Sequence, residues 1–318
     1  MKPIRPALRE YRTWTTDSRR WTGYQPRESD IIIATYPKSG TTWMQQIVGS
    51  LVFQDGEPRP LSEIAPWIGG RFFGEPTSIL AKINSQKHRR FMKSHEPLDG
   101  IPLYDEVRYI HVARDGRDAA MSLHNQWTGF NASTRQAFDR IGLEDPAIGR
   151  LFPAIPAHPA EMFRFWLTTS GVPGQTEGGI GLSFFDFEVT YWTERTRPNL
   201  LMVNYSDLLA DLDGEMRRVS AFLDIPVNEE TWPSLAKAAQ FSEMRASGEK
   251  LMPHLAGSRA GGANAFFYKG TNGRWREALT PDDLAAYEAK VRAKFTPALA
   301  AWIKGGRRAA GDPREVPD

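Results

Sequence analysis

Three short apolar runs punctuate the chain: DIIIAT (30–35), VRYIHVA (107–113) and LLMVNY (200–205). Each is β-branched or aliphatic with little alternation, the pattern of a strand buried on both faces, and each gives way to a helical periodicity. Behind the first, Trp43, Met44, Ile47, Val48, Leu51 and Val52 fall on one face of a helix. Ala119, Ala120, Met121 and Leu123 follow the second run; after the third, Asp207 opens a helix through Leu208, Leu209 and Leu212, and 215–223 supplies another. Strands alternating with helices predict an α/β fold, a single domain whose central parallel sheet is flanked by helices and joined by right-handed crossovers. Between 151 and 182 prolines and glycines break the pattern, which predicts an irregular excursion with one helix near 160–168. That excursion and the glycine-rich stretch 257–264 are expected to move in the absence of ligand. The end from Gly305 is small, charged and proline-containing, so the domain is expected over 1–305, with its core from 24, and a flexible tail over 306–318.

Composition narrows the partners. Forty basic side chains against thirty-eight acidic give a formal charge of +2, no footprint for a nucleic acid or an anionic membrane, so any basic site must be local. The absence of cysteine removes disulfides, thiolate metal sites and cysteine nucleophiles together. The basic N-terminus lacks the apolar core of a secretory signal, and no run of eighteen apolar residues exists. The expectation is a cytoplasmic protein with no stable membrane insertion and no nucleic-acid partner.

The first strand runs directly into YPKSGTTW (36–43). A turn from strand to helix at the carboxyl edge of a parallel sheet aims backbone N–H groups and a helix dipole at whatever lies above it, a ready anion site. Gly40 lets the backbone come close and Lys38 adds a full charge. A Walker A loop does not fit: the lysine precedes the glycine, and Thr35 stands where the first glycine of that motif belongs. The second strand ends in VARDGRD, with Asp115 and Asp118 flanked by Arg114 and Arg117, which suits an anion better than a cation. The turn reads as a P-loop-like nucleotide-binding core built for a phosphate-rich ligand without a dedicated metal.

These residues carry a resemblance. YPKSGTTW is similar to the 5′-phosphosulfate loop of cytosolic-type sulfotransferases, which use 3′-phosphoadenosine 5′-phosphosulfate (PAPS) and release 3′-phosphoadenosine 5′-phosphate (PAP). FMKSHEPL (91–98), VARDGRDAAMS (112–122), NYSDL (204–208) and FFYKGTNGRWRE (266–277) resemble further motifs of that family, in the family's order. The resemblance implies sulfuryl transfer to a hydroxyl or amine, with no metal required. By it, His95 is the general base; Lys38 and Lys93 stabilise the transferred group and the leaving oxygen. Ser122 joins this catalytic set by restraining Lys38, and it also binds the 3′-phosphate. Lys38, Ser39, Gly40, Thr41 and Thr42 would cradle the 5′-phosphosulfate, while Arg114 clamps the 3′-phosphate alongside Ser122. Trp43, Tyr205 and Phe241 would hold the adenine, and Phe267, Tyr268, Lys269 and Gly270 the closing loop. Tyr268 stands where the family has an arginine, a missing charge that Arg274 or Arg276 is placed to supply.

Phe72, Phe73, Trp127, Phe130 and Phe152, with Arg71, lie where the family lines its acceptor pocket; the alternative is ordinary packing. As a pocket they imply a small acceptor with an apolar or aromatic body and one nucleophilic heteroatom. His111, mid-strand, reads as a satisfied core histidine. The family's dimerisation segment, KxxxTVxxxE, is matched only at Arg276 and Thr280, because Pro281 and Ala285 replace its valine and glutamate; oligomeric state is left open. Two rival functions are a P-loop-type kinase and a nucleotide-binding protein without catalysis.

Overall fold

The computed structural model describes all 318 residues. Four parallel strands, β1 (Ile31–Thr35), β2 (Phe91–Ser94), β3 (Arg108–Ala113) and β4 (Leu200–Asn204), form one sheet in the order β2-β1-β3-β4. Ile31 pairs with both Phe91 and Arg108, and Tyr109 pairs with Leu200. β2 is a strand the hydrophobic pattern did not announce. Only four residues long, with Lys93 and Ser94 in it, it reads as a motif rather than an apolar run.

Side-chain alternation divides the sheet between two cores. Ile32, Ala34, Tyr109, Leu200 and Met202 pack into the larger core. Ile31, Ile33, Ile110, Val112, Leu201 and Val203 pack into the second, with the helix Thr41–Phe53. Both faces are covered, so the strands carry no polar alternation. His111, in the middle of β3, is satisfied: its Nδ1 lies 3.0 Å from the Ala34 carbonyl, its Nε2 2.8 Å from Glu188, and its ring stacks on Tyr191.

Strand order fixes where a ligand can sit. The chain leaves β1 toward β2 on one side, then crosses to β3 on the other, so the turns after β1 and β3 diverge at the carboxyl edge. That divergence opens the crevice used by α/β proteins.

Both ends of the chain belong to the packed body. Trp14 is fully buried, ahead of the expected start of the core. The C-terminal segment is docked rather than free: Arg307–Ala310 is helical, Trp192 donates to Asp318 at 2.7 Å, and Arg195 and Arg314 donate to the Pro313 and Leu200 carbonyls. Its composition suggested fraying because the partners of those groups lie more than a hundred residues away. The 151–182 excursion contains the expected helix, Pro159–Thr168. The glycine-rich stretch is anchored: the Gly257 carbonyl accepts from Asn131, the Ser258 carbonyl from Thr134, and the Ala260 N–H donates to Gly129. Pro281 takes the first turn of the helix Pro281–Lys294, whose N-cap is Thr280 paired reciprocally with Asp283.

Candidate active site

A cavity of about 510 Å³ opens over the carboxyl edge of β1, β2 and β3. Five cationic side chains line it (Lys38, Lys93, Arg114, Lys269 and Arg274) and no Asp or Glu does. Twelve Phe, Tyr and Trp side chains also line it.

The turn after β1 builds the anion end. Gly40 has φ +117°, and a Cβ there would meet Tyr205 at 3.0 Å, so both conformation and packing require glycine. Gly40 is the N-cap of Thr41–Phe53, and no side chain caps that helix. Its first N–H groups are therefore left for a ligand. Ser39 does not reach the cavity as expected; it is fully buried under the loop, where its Oγ has no partner. Lys38 itself has φ +72°. Its ammonium lies 4.1 Å from the centroid of Phe266. Burial, with Arg259, Arg114 and Lys93 nearby, pushes Lys38 down to about 7.

Arg114 spans the divergence of the two turns. Its guanidinium donates to the Lys38 carbonyl at 3.0 Å, to Asn272 at 2.9 Å and to the Thr271 carbonyl at 2.9 Å, and stacks on Tyr205. It thereby ties the loop after β1 to the C-terminal loop. Ser122, two turns along the helix Gly116–Thr128, also faces the cavity. Trp43, Tyr205 and Phe241 also line the cavity. Trp43 is fixed by donating to the Ala239 carbonyl at 2.7 Å and meets Tyr205 at a ring separation of 5.2 Å. Gly270, with φ +65°, leaves room for Phe241; a Cβ there would come within 2.5 Å of that ring. Phe267 is buried beside them, and Tyr268 is half exposed with the Arg274 guanidinium 4.5 Å from its ring centroid. Arg276 instead lies against Trp275, outside the cavity.

His95 follows β2 and is held against β1. Its Nδ1–H donates to the Thr35 carbonyl at 2.8 Å. The neutral ring therefore carries its proton on Nδ1, leaving Nε2, which has no protein partner, as an acceptor in the cavity. Burial, with Lys93 and Lys38 beside it, lowers its pKa well below the usual histidine value. Lys93 sits 4.6 Å from the Trp67 ring centroid, and burial pushes it down to about 8.

Phe72, Phe73, Trp127 and Phe130 line the rest of the cavity. Phe152 does not. It packs behind the wall against Trp14, Trp127 and Phe138, with its N–H donating to Asp139 on the helix Ala132–Glu144 at 2.8 Å. Arg71 is likewise structural, donating to Asp145 at 2.7 Å. The sequence reading missed Trp67, Phe138, His254 and Phe266, all cavity-lining. Trp67, Phe138 and His254 come from loops or from a helix without a motif, and only tertiary contact brings them here, whereas Phe266 opens the FFYKGTNGRWRE motif without having been given a role.

Comparison with known proteins gives the family and the fold. Residues 28–297 match the model of the sulfotransferase domain family. The chain is 33% identical over 315 residues to the glycolipid sulfotransferase of Mycobacterium bovis, covering 94% of each chain. It is 29% identical over 283 residues to human sulfotransferase 2B1, covering 84% of this chain and 66% of that one. Among solved structures, retinol dehydratase crystallised with androsterone and PAP superposes with a TM-score of 0.67 at 18% identity, over 88% of this chain and 86% of that one. A mouse sulfotransferase crystallised with PAP gives 0.61 at 21% identity, over 87% and 88%.

Proposed function

The chain belongs to the sulfotransferase domain family, and from that premise we propose that it transfers a sulfuryl group from PAPS to a hydroxyl or amine of an apolar or aromatic acceptor, releasing PAP. The observation that carries the reading is the pairing of a neutral His95, its free Nε2 in the cavity, with Lys38 and Lys93 in a site free of carboxylates. A cytoplasmic location, expected from the sequence, goes with this reading.

The residues fit the donor. The uncapped helix start and the glycine cradle at Gly40 fit an anion. Arg114, Ser122, Lys269 and Arg274 line the same cavity and would take the second phosphate, with Arg274 offering the charge that Tyr268 lacks. Trp43, Phe241 and Tyr205 offer flat faces to a base. PAPS supplies an activated sulfuryl group on a phosphate that leaves with the bonding electrons.

His95 Nε2 takes the proton of the acceptor hydroxyl as its oxygen bonds to sulfur, and the Thr35 carbonyl stabilises the imidazolium that forms. Lys38 and Lys93 offer ammonium groups to the charge that grows on the departing oxygen. The aromatic wall holds the acceptor body and excludes water.

A kinase would need a carboxylate to hold Mg²⁺ beside the phosphates. Here Asp115 caps its own helix and pairs with Arg117, while Asp118 accepts from the Gly273 N–H at 2.7 Å. Neither lines the cavity. The test is incubation with PAPS and a phenol panel: sulfated product is expected, and turnover of ATP in its place would contradict the reading.

A further inference from the structure

One imidazole in the cavity has no part in the chemistry above. His254 lies on the short 3-10 turn Pro253–Gly257, lines the cavity, and has a buried Nδ1 without a hydrogen-bond partner. Its ring meets Phe73 edge-on at 5.3 Å, Phe73 lies 6.0 Å from Trp67, and Trp67 lies 4.9 Å from His95. Two aromatic rings therefore join the two histidines into one wall, with His95 at the sheet and His254 on the segment that covers it. That segment has a fixed seat, because the Gly257 and Ser258 carbonyls accept from Asn131 and Thr134 at 2.9 Å.

The environment separates the two imidazoles by role. His95 has its tautomer set by the Thr35 carbonyl, as a base requires. Nothing sets the tautomer of His254, which burial and nearby Lys93 push down to about 4, so the ring is neutral and free to donate at one nitrogen and accept at the other. Nδ1 has no accessible surface even with the cavity empty, whereas Nε2 is accessible and makes no hydrogen bond; an apolar acceptor covering Nε2 would leave it dry and unpaired, a costly arrangement. An acceptor with a second polar group would satisfy it. Sites with such a group discriminate strongly against analogues that lack the matching hydroxyl.

We propose that His254 is a specificity-determining residue that hydrogen-bonds a second polar group of the acceptor. The preferred acceptors are then bifunctional: an apolar or aromatic body with one hydroxyl delivered to His95 and a second hydroxyl or comparable group at His254. This rests on the sulfuryl-transfer reading of the same cavity.

The experiment is calorimetric binding of 2-naphthol and of naphthalenediols with differently spaced hydroxyls to the PAP-loaded protein, for the wild type, His254→Phe and His254→Gln. At least one diol is expected to bind the wild type about tenfold tighter than 2-naphthol, one buried hydrogen bond's worth. His254→Phe should abolish that ratio while leaving 2-naphthol binding intact, and His254→Gln should restore part of it. No diol preference in the wild type, or an unchanged ratio in His254→Phe, would overturn the assignment. The preference with no sulfated naphthol formed from PAPS would uphold His254 and contradict the proposed function, so the two claims fail separately.

Discussion

The Lys38 ammonium rests 4.1 Å from the centroid of the Phe266 ring, with no carboxylate paired to it. A π face is weak compensation for a buried charge, and neighbouring cations add repulsion, so the proton is loosely held, at about 7. Lys93 lies against Trp67, where burial lowers it to about 8 although Glu96 pulls the other way.

An anion entering the cavity reverses that balance and raises both lysines. Well below pH 7 both are already charged and take up no proton on binding; above their free values of about 7 and 8, they must take protons up. PAP affinity should therefore fall as pH rises through that window. Calorimetry in buffers of different ionisation enthalpy should show uptake on the alkaline side alone, with Lys38→Met removing the part centred near 7. Buffer-independent heats throughout would rule this out.

Arg114 is tied to the Lys38, Thr271 and Asn272 groups as well as facing the cavity. Arg114→Ala should weaken PAP at least about tenfold, since each charge-assisted contact contributes roughly 1.5–3 kcal/mol. AMP, which lacks the 3′-phosphate, should scarcely notice. Arg114→Lys should not rescue, because an ammonium cannot hold three acceptors in a planar fork. Titrations with PAP, AMP and ADP check this; equal affinity of the wild type for ADP and PAP would remove the 3′-phosphate from the account.

Gly40 is constrained by its φ of +117° and by Tyr205. Gly40→Ala should cost about 1–3 kcal/mol of stability from backbone strain, and PAP affinity should drop as the helix start is pushed away from the anion. Chemical denaturation and PAP titration of the same variant would show both losses together.

Much of this was readable from residues alone. β1, β3 and β4 announce themselves as apolar runs because both faces are buried, and Lys38, Arg114 and His95 sit in motifs local enough to survive without a fold. Trp67 and His254 were not legible. Each sits on a stretch without periodicity, and its position depends on contacts such as those of Asn131 with Gly257. Phe152 was misplaced for a related reason: an aromatic residue near a pocket in sequence faces the pocket or the core according to its tertiary packing, here against Trp14, Trp127 and Phe138. The docked C-terminus shows the limit of composition, since Trp192 and Arg195 hold it from afar.

The base assignment of His95 is the centre of the account, and acceptor acidity tests it most directly. Rates for His95→Ala and wild type are measured across a series of acceptors from aliphatic alcohols to nitrophenols, with PAP binding checked in parallel. The account predicts that the variant keeps PAP affinity and loses about 10²–10⁴-fold in turnover with weakly acidic hydroxyls. The deficit should shrink for nitrophenols, which arrive already ionised, whereas Lys38→Met should slow every acceptor alike. A His95→Ala enzyme fully active on a weakly acidic alcohol would contradict the mechanism.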